Sequence, residues 1–189
     1  MRLGIFSAFI AASLATPLTS RQVRITGKSD SWEPDVVAKV ACDTTSDKII
    51  GFYVGPQLET VVNDACAAMF PPCAYSDRVA PDTFCIQSID WKLGGPKTSI
   101  QAANVETKQG VKISGWNVKF AVTPAVQPAG SAGVFWTIQD CYGYFAVLLE
   151  KWEPEGCHRA EGFGTGGLRV GGESSLNGSI FRISIVPAV

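Results

Sequence analysis

A chain of 189 residues that is 46% apolar and 17% charged carries enough hydrophobic side chains for one well-filled domain, and too many to remain disordered. Sixteen Lys and Arg against seventeen Asp and Glu give a formal charge of −1 with no basic cluster, so there is no electrostatic case for nucleic-acid binding. Nineteen glycines and eleven prolines call for many turns, which suits a sheet-rich fold.

The first residues have the layout of a secretory signal peptide. Arg2 supplies the positive charge, residues 3–14 are apolar without charge or proline, and Ser13 and Ala15 place small residues where signal peptidase reads. Cleavage is therefore expected after Ala15. The stretch is shorter than the ~20 apolar residues needed to cross a bilayer, and no later segment is long enough either. The expectation is a secreted, extracellular protein with no transmembrane segment. Residues 16–21 read as a short pro-segment ending at Arg21, the alternative being an ordinary surface arginine. With both cuts the mature chain is Gln22–Val189, 168 residues at a formal charge of −3.

Residues 22–34 are polar and irregular and read as a flexible N-terminal arm; residues 35–189 read as a single domain. Residues 35–42 and 49–54, rich in Val and Ile, predict two strands. Leu58, Val61, Val62, Ala65 and Met69 then fall on one face of a helix, with Cys66 at its edge and Pro71-Pro72 as the stop. Residues 73–81 are a loop, 83–93 alternate well enough for a strand, and 94–110 read as a linker. Residues 111–123 give the clearest strand, with Trp116, Val118, Phe120 and Val122 pointing one way. Thr137 caps a second helix with Asp140 as its capping-box partner, and Ile138, Cys141, Phe145, Leu148, Leu149 and Trp152 form its apolar stripe before Pro154 and Gly156. Residues 162–172 are a glycine-rich hairpin or loop, and 179–186 a last strand.

Each half runs strand, helix with a buried cysteine, strand. The pattern predicts an α+β fold, an antiparallel sheet with two helices packed on one face, of the split β-α-β or ferredoxin-like kind. The six cysteines (Cys42, Cys66, Cys73, Cys85, Cys141 and Cys157) are even in number and all lie in the mature part, which favours three disulfides. Four of them fall in the first half, so the simplest of the fifteen schemes pairs Cys141 with Cys157 and the first four among themselves. Zinc is not expected, since Cys66 and Cys73 are seven apart and His158 is the only histidine. Asn177-Gly178-Ser179 is an N-glycosylation sequon and equally a tight-turn pair; both readings put Asn177 at the surface.

The catalytic motifs are weighed against their contexts. Gly162-Phe163-Gly164-Thr165-Gly166-Gly167 matches G-x-G-x-x-G, but follows a helix and opens none, so no nucleotide cofactor is expected. It reads instead as a mobile interaction loop that extends to Arg169. His158 follows Cys157, expected to be oxidised, and no G-x-S-x-G elbow exists for a nucleophile. Asp140, Glu150, Glu153 and Glu155 read as a cap and a solvated face rather than as a glycosidase pair. Asp90, beside Trp91, stands alone. Among Trp32, Trp91, Trp116, Trp136 and Trp152, Trp32 alone lies in a polar segment and is the one expected to be exposed.

The leader ending Leu18-Thr19-Ser20-Arg21, the six cysteines, and the helical Val62-Asn63-Asp64-Ala65-Cys66 and Ile138-Gln139-Asp140-Cys141 resemble small secreted cysteine-rich fungal proteins, in particular killer toxins and killer-toxin-like plant-pathogen effectors. The resemblance lies in the pattern of elements over about two-thirds of the mature chain; this chain is longer, and no toxin residue carries over. It implies an α/β sandwich and a non-enzymatic protein acting on a host or competitor target outside the cell. The alternative is an extracellular domain that binds or hydrolyses cell-wall glycans. The expected partner is an extracellular protein or glycan; the oligomeric state is left open.

Overall fold

The computed structural model describes residues 32–35, 37–51, 55–75, 78–86 and 88–188. The expected signal peptide (1–15), the pro-segment (16–21) and all of the arm but its last three residues lie outside the described residues. In chain order the elements are β1 (Lys39–Cys42), β2 (Lys48–Ile50), α1 (Leu58–Met69), a 3-10 turn at Pro72–Ala74, β3 (Trp91–Lys92), β4 (Lys97–Gln101), β5 (Val105–Thr107), β6 (Trp116–Thr123), β7 (Phe135–Trp136), α2 (Ile138–Glu150), β8 (Gly166–Arg169) and β9 (Ile180–Pro187). The protein is α+β, with antiparallel sheets, two helices and three disulfides.

The main sheet has the order β1-β8-β9-β6-β4, with every neighbouring pair antiparallel. Counting the reversals makes β1 parallel to β4, and β6 parallel to β8. These are the strands that α1 and α2 connect, so each half is a β-α-β unit split by intervening strands. β9 adds a fifth strand where a β-α-β-β-α-β unit has four. Two small ladders, β2-β5 and β3-β7, extend the periphery.

Pleating sends alternate residues of β6 and β9 to opposite faces. Val118, Phe120, Val122, Phe181 and Ile183 are buried on the helix side. There the Phe145 ring of α2 meets Phe120 and Phe181 edge-on, at centroid distances of 5.1 and 5.4 Å. α1 buries Leu58, Val61, Val62, Ala65, Cys66 and Met69, the stripe expected from its spacing. Pro71 and Pro72 follow directly and stop it, because neither can donate the next backbone hydrogen bond. α2 starts at the predicted capping box: Thr137 Oγ1 accepts from Asp140 N, and Asp140 accepts from Thr137 N.

Several expectations change. Among the described residues of 83–93 only β3 is a strand, while 94–110, expected to be a linker, contains β4 and β5. Of the strand expected over 49–54, residues 52–54 lie outside the described residues. α2 ends at Glu150, so Trp152 falls beyond the helix and is 57% exposed instead of completing its apolar stripe. Trp32, expected to be exposed, docks on α2. Its Nε1 donates to Asp140 at 3.0 Å, its ring meets Tyr144 edge-on, and Gly143 leaves the space that the ring fills.

Two of the three disulfides, Cys42–Cys157 and Cys66–Cys141, join the halves, while Cys73–Cys85 lies within the first half. The within-half pairing of Cys141 with Cys157 is corrected by helix geometry. Cys157 N donates to Leu148 O at 2.7 Å, and Leu148 lies seven residues along α2 from Cys141, a rise of about 10 Å. A disulfide tolerates a Cα separation of no more than about 7 Å. Cys66 and Cys141, each fully buried on its helix, meet instead at a Cα distance of 6.0 Å.

Tyr144 lies under Trp32, 3% exposed. Burial pushes its hydroxyl up from 10 to about 12; the carboxylates of Asp140 and Asp35 add to the rise, and a hydrogen bond with the Asp35 backbone opposes it. The unfolded chain loses this proton near pH 10 while the folded protein keeps it, so the contribution is intact below pH 10 and is lost between 10 and 12. A shift of this size corresponds to roughly 2–3 kcal/mol. Urea unfolding at pH 9, 10 and 11 should show a steeper loss for the parent than for Tyr144→Phe; parallel curves would contradict the assignment.

Candidate functional site

Several of the residues considered for catalysis have structural partners. Asp140 caps α2 and holds Trp32, and Glu153 pairs with Arg159 at 2.6 Å. The His158 ring stacks on Trp152, with centroids 4.2 Å apart and planes inclined by 12°, and its Nδ1 lies 3.2 Å from Glu150 O. The neighbouring Cys157 sulfur is bonded to Cys42, so it offers no thiol nucleophile. Asp90 is exposed beside Ser88 Oγ, while Trp91 pairs with Trp136 between β3 and β7. Among the described residues no group of three or more His, Cys, Asp or Glu is arranged to hold a metal ion, and no helix is long and apolar enough to cross a membrane.

The glycine-rich segment is not an exposed tip. Gly162, Phe163, Gly164 and Thr165 are buried. Phe163 exchanges backbone hydrogen bonds with Ile50, Gly164 N donates to Cys157 O, and Asp43 N donates to Thr165 O. A Cβ on Gly162 would come within 2.8 Å of Ile50 O, and one on Gly164 within 2.6 Å of Cys157 O. These glycines allow close packing against two backbone strands, which the G-x-G pattern alone could not distinguish from a loop. Gly166 and Gly167 enter β8, and of the predicted set Arg169 is the one that is well exposed. Asn177 is exposed, in the turn between β8 and β9.

Two surfaces remain. The first is the loop over 78–90. Pro81 and Asp82, with Asp82 at φ 67° and Thr83 N donating to Ala80 O, form a type II turn that launches it. Cys85 is bonded to Cys73 in the 3-10 turn after α1, and Arg78 pairs with Asp64 of α1 at 3.3 Å. Phe84, Ile86 and Ile89 are 102%, 88% and 90% exposed. Their alternation had suggested a strand; no ladder receives it. Isolated exposed apolar residues need no explanation, but three large ones in one covalently anchored loop stand out.

The second surface is the face of the main sheet opposite the helices. Lys39 of β1, Arg169 of β8 and Arg182 of β9 are exposed there, and Lys119 of β6 is half-buried. A trough of about 500 Å³ crosses β1, β8 and β9 on this face. No family model, curated protein or solved structure matches the chain, so these two surfaces carry the functional argument.

Proposed function

We propose that this is a secreted, non-enzymatic interaction protein, effector- or toxin-like, which docks on a host or competitor target through the loop over 78–90. The observation that carries this reading is the near-complete exposure of Phe84, Ile86 and Ile89 on a loop fixed at Cys85. Anchoring reduces the ordering that binding would otherwise cost, and large apolar side chains are the groups that fill partner pockets. Three disulfides suit an oxidising compartment. The killer-toxin-like sandwich belongs to the same proposal; it is supported by two split β-α-β units whose helices are joined through Cys66–Cys141.

The test is to apply purified, disulfide-bonded protein to plant tissue and to competing fungi, alongside Phe84→Ser/Ile86→Ser/Ile89→Ser. The parent should elicit a response and the triple variant should lose it. Its thermal midpoint should hardly move, because surface substitutions outside packed features usually change stability by less than about 0.5 kcal/mol each. A response retained by the triple variant would remove the loop from the proposal. Silence of the folded parent in both assays, together with hydrolysis of a wall polysaccharide, would replace it with the enzymatic alternative. A glycan-binding reading is favoured by one observation, the 57% exposure of Trp152 beside the Arg159–Glu153 pair, and is tested by pull-down on chitin and glucan.

A further inference from the structure

The open sheet face gathers cations that its sequence disperses. Residues pairing across the ladders share a face, so Lys39 stands directly across from Arg169, Gly167 across from Arg182, and Ser184 across from Lys119. Arg182 is thus one diagonal step from Arg169 and one from Lys119, each step about 7–8 Å. The result is a diagonal stripe of four positive charges over β1, β8, β9 and β6, on a protein whose formal charge is −1. The ion pairs of the described residues are Lys48–Asp47, Arg78–Asp64 and Arg159–Glu153, and none uses a cation of the stripe.

The nearby carboxylates do not neutralise the stripe by contact. Asp43 edges the trough, but its Oδ1 accepts from Thr45 N, Thr45 Oγ1 and Ser46 N. Asp35 and Glu173 line a neighbouring cavity with Lys39 and Arg169 but form no ion pair with either. The trough floor is low because β8 contributes Gly167 there, directly across from Arg182, and Ser46 and Ser184 add hydroxyls along it.

We propose that this trough binds an acidic polysaccharide, specifically a polyuronate chain whose carboxylates pair with Lys39, Arg169 and Arg182 along the trough and with Lys119 beyond it on β6. Guanidinium groups pair carboxylates through two parallel hydrogen bonds. The hydroxyl-bearing floor suits a sugar lying flat. A single-stranded nucleic acid would require aromatic platforms for its bases, and no residue lining the trough is aromatic. A peptide recognised by a sheet uses the backbone of an edge strand or pockets for alternate side chains, and this trough lies on the face. The inference is independent of the loop over 78–90, which is anchored to the end of α1.

The experiment is titration calorimetry of the disulfide-bonded protein with oligogalacturonate at 20 and 200 mM salt, with heparin fragments and poly-glutamate as parallel arms. Binding of the uronate should weaken with salt and fall about fivefold for each of Arg169→Gln and Arg182→Gln, as expected for exposed charge pairs. Gly167→Glu should abolish it without unfolding: a Cβ there makes ordinary contacts, 3.5 Å from Phe181 O, and the side chain enters the trough with the wrong charge. The loop triple variant should bind uronate like the parent. No binding at 20 mM salt, equal affinity in the arginine variants, or preference for heparin or poly-glutamate over uronate would each overturn the proposal.

Discussion

Replacing Cys66 and Cys141 together by alanine should lower the stability of the protein by about 4 kcal/mol or more, the largest loss expected from any of the three disulfides' removal apart from that of Cys42–Cys157. The bond closes a loop with a sequence separation of 75, and that of Cys42–Cys157 closes one of 115. Chain-entropy reasoning gives roughly 4.5 kcal/mol for loops of this length, against about 3 for the separation of 12 at Cys73–Cys85. Burial adds to the difference. Cys66, Cys141 and Cys157 are fully buried, so their removal also leaves space in the layer between helices and sheet, whereas Cys85 holds an exposed loop. With total stabilities of about 5–15 kcal/mol for domains of this kind, the Cys66/Cys141 variant should be partly unfolded at 37 °C and the Cys73/Cys85 variant folded. Urea unfolding of each double-alanine variant, with the other bonds left oxidised, measures the order directly. Equal losses would show that neither loop length nor burial governs it.

The pairing was not legible in the sequence: Cys66 was read at the edge of one helix's apolar stripe and Cys141 within the other's, but the bonds were expected within each half. The pairing by halves overlooked how far a helix carries Cys141 from the segment that returns after it. The helices themselves were readable because their signals are local: a 3.6-residue stripe ended by two prolines in α1, and a capping box at Thr137 in α2. β4 was not. Its residues in register with the core positions of β6 are Lys97, Ser99 and Gln101, so the strand at this sheet edge shows no apolar alternation. Residues 83–89 erred the other way, alternating without a partner strand.

The functional surfaces divide similarly. Alternation placed Lys119 on the solvent side of its strand, and the glycine-rich segment was singled out with Arg169, but most of that segment is packed against Ile50 and Cys157. What no single strand reveals is convergence. Lys39, Lys119, Arg169 and Arg182 are up to 143 residues apart in sequence and become neighbours only through the β1-β8-β9-β6 register. Strand order is a property of long-range pairing, and the sequence pattern constrains it weakly.

Phe145→Ala tests the packing that sets this register. Phe145 is fully buried at the centre of α2, edge-on to Phe120 of β6 and Phe181 of β9, the two strands with the longest ladder in the sheet. Its ring therefore joins the second helix to the middle of the sheet. Truncation removes the transfer contribution of the ring, leaves a cavity between rigid neighbours and forfeits two edge-to-face pairs, together about 3–5 kcal/mol. Phe145→Leu keeps most of the volume and should cost clearly less. Phe84→Ala removes a ring of the same size from solvent and should cost almost nothing, so the comparison separates burial from residue type. Urea midpoints for the three variants decide the matter: a Phe84→Ala loss rivalling that of Phe145→Ala would mean that the exposed loop, and not the aromatic cluster under α2, carries the stability of the fold.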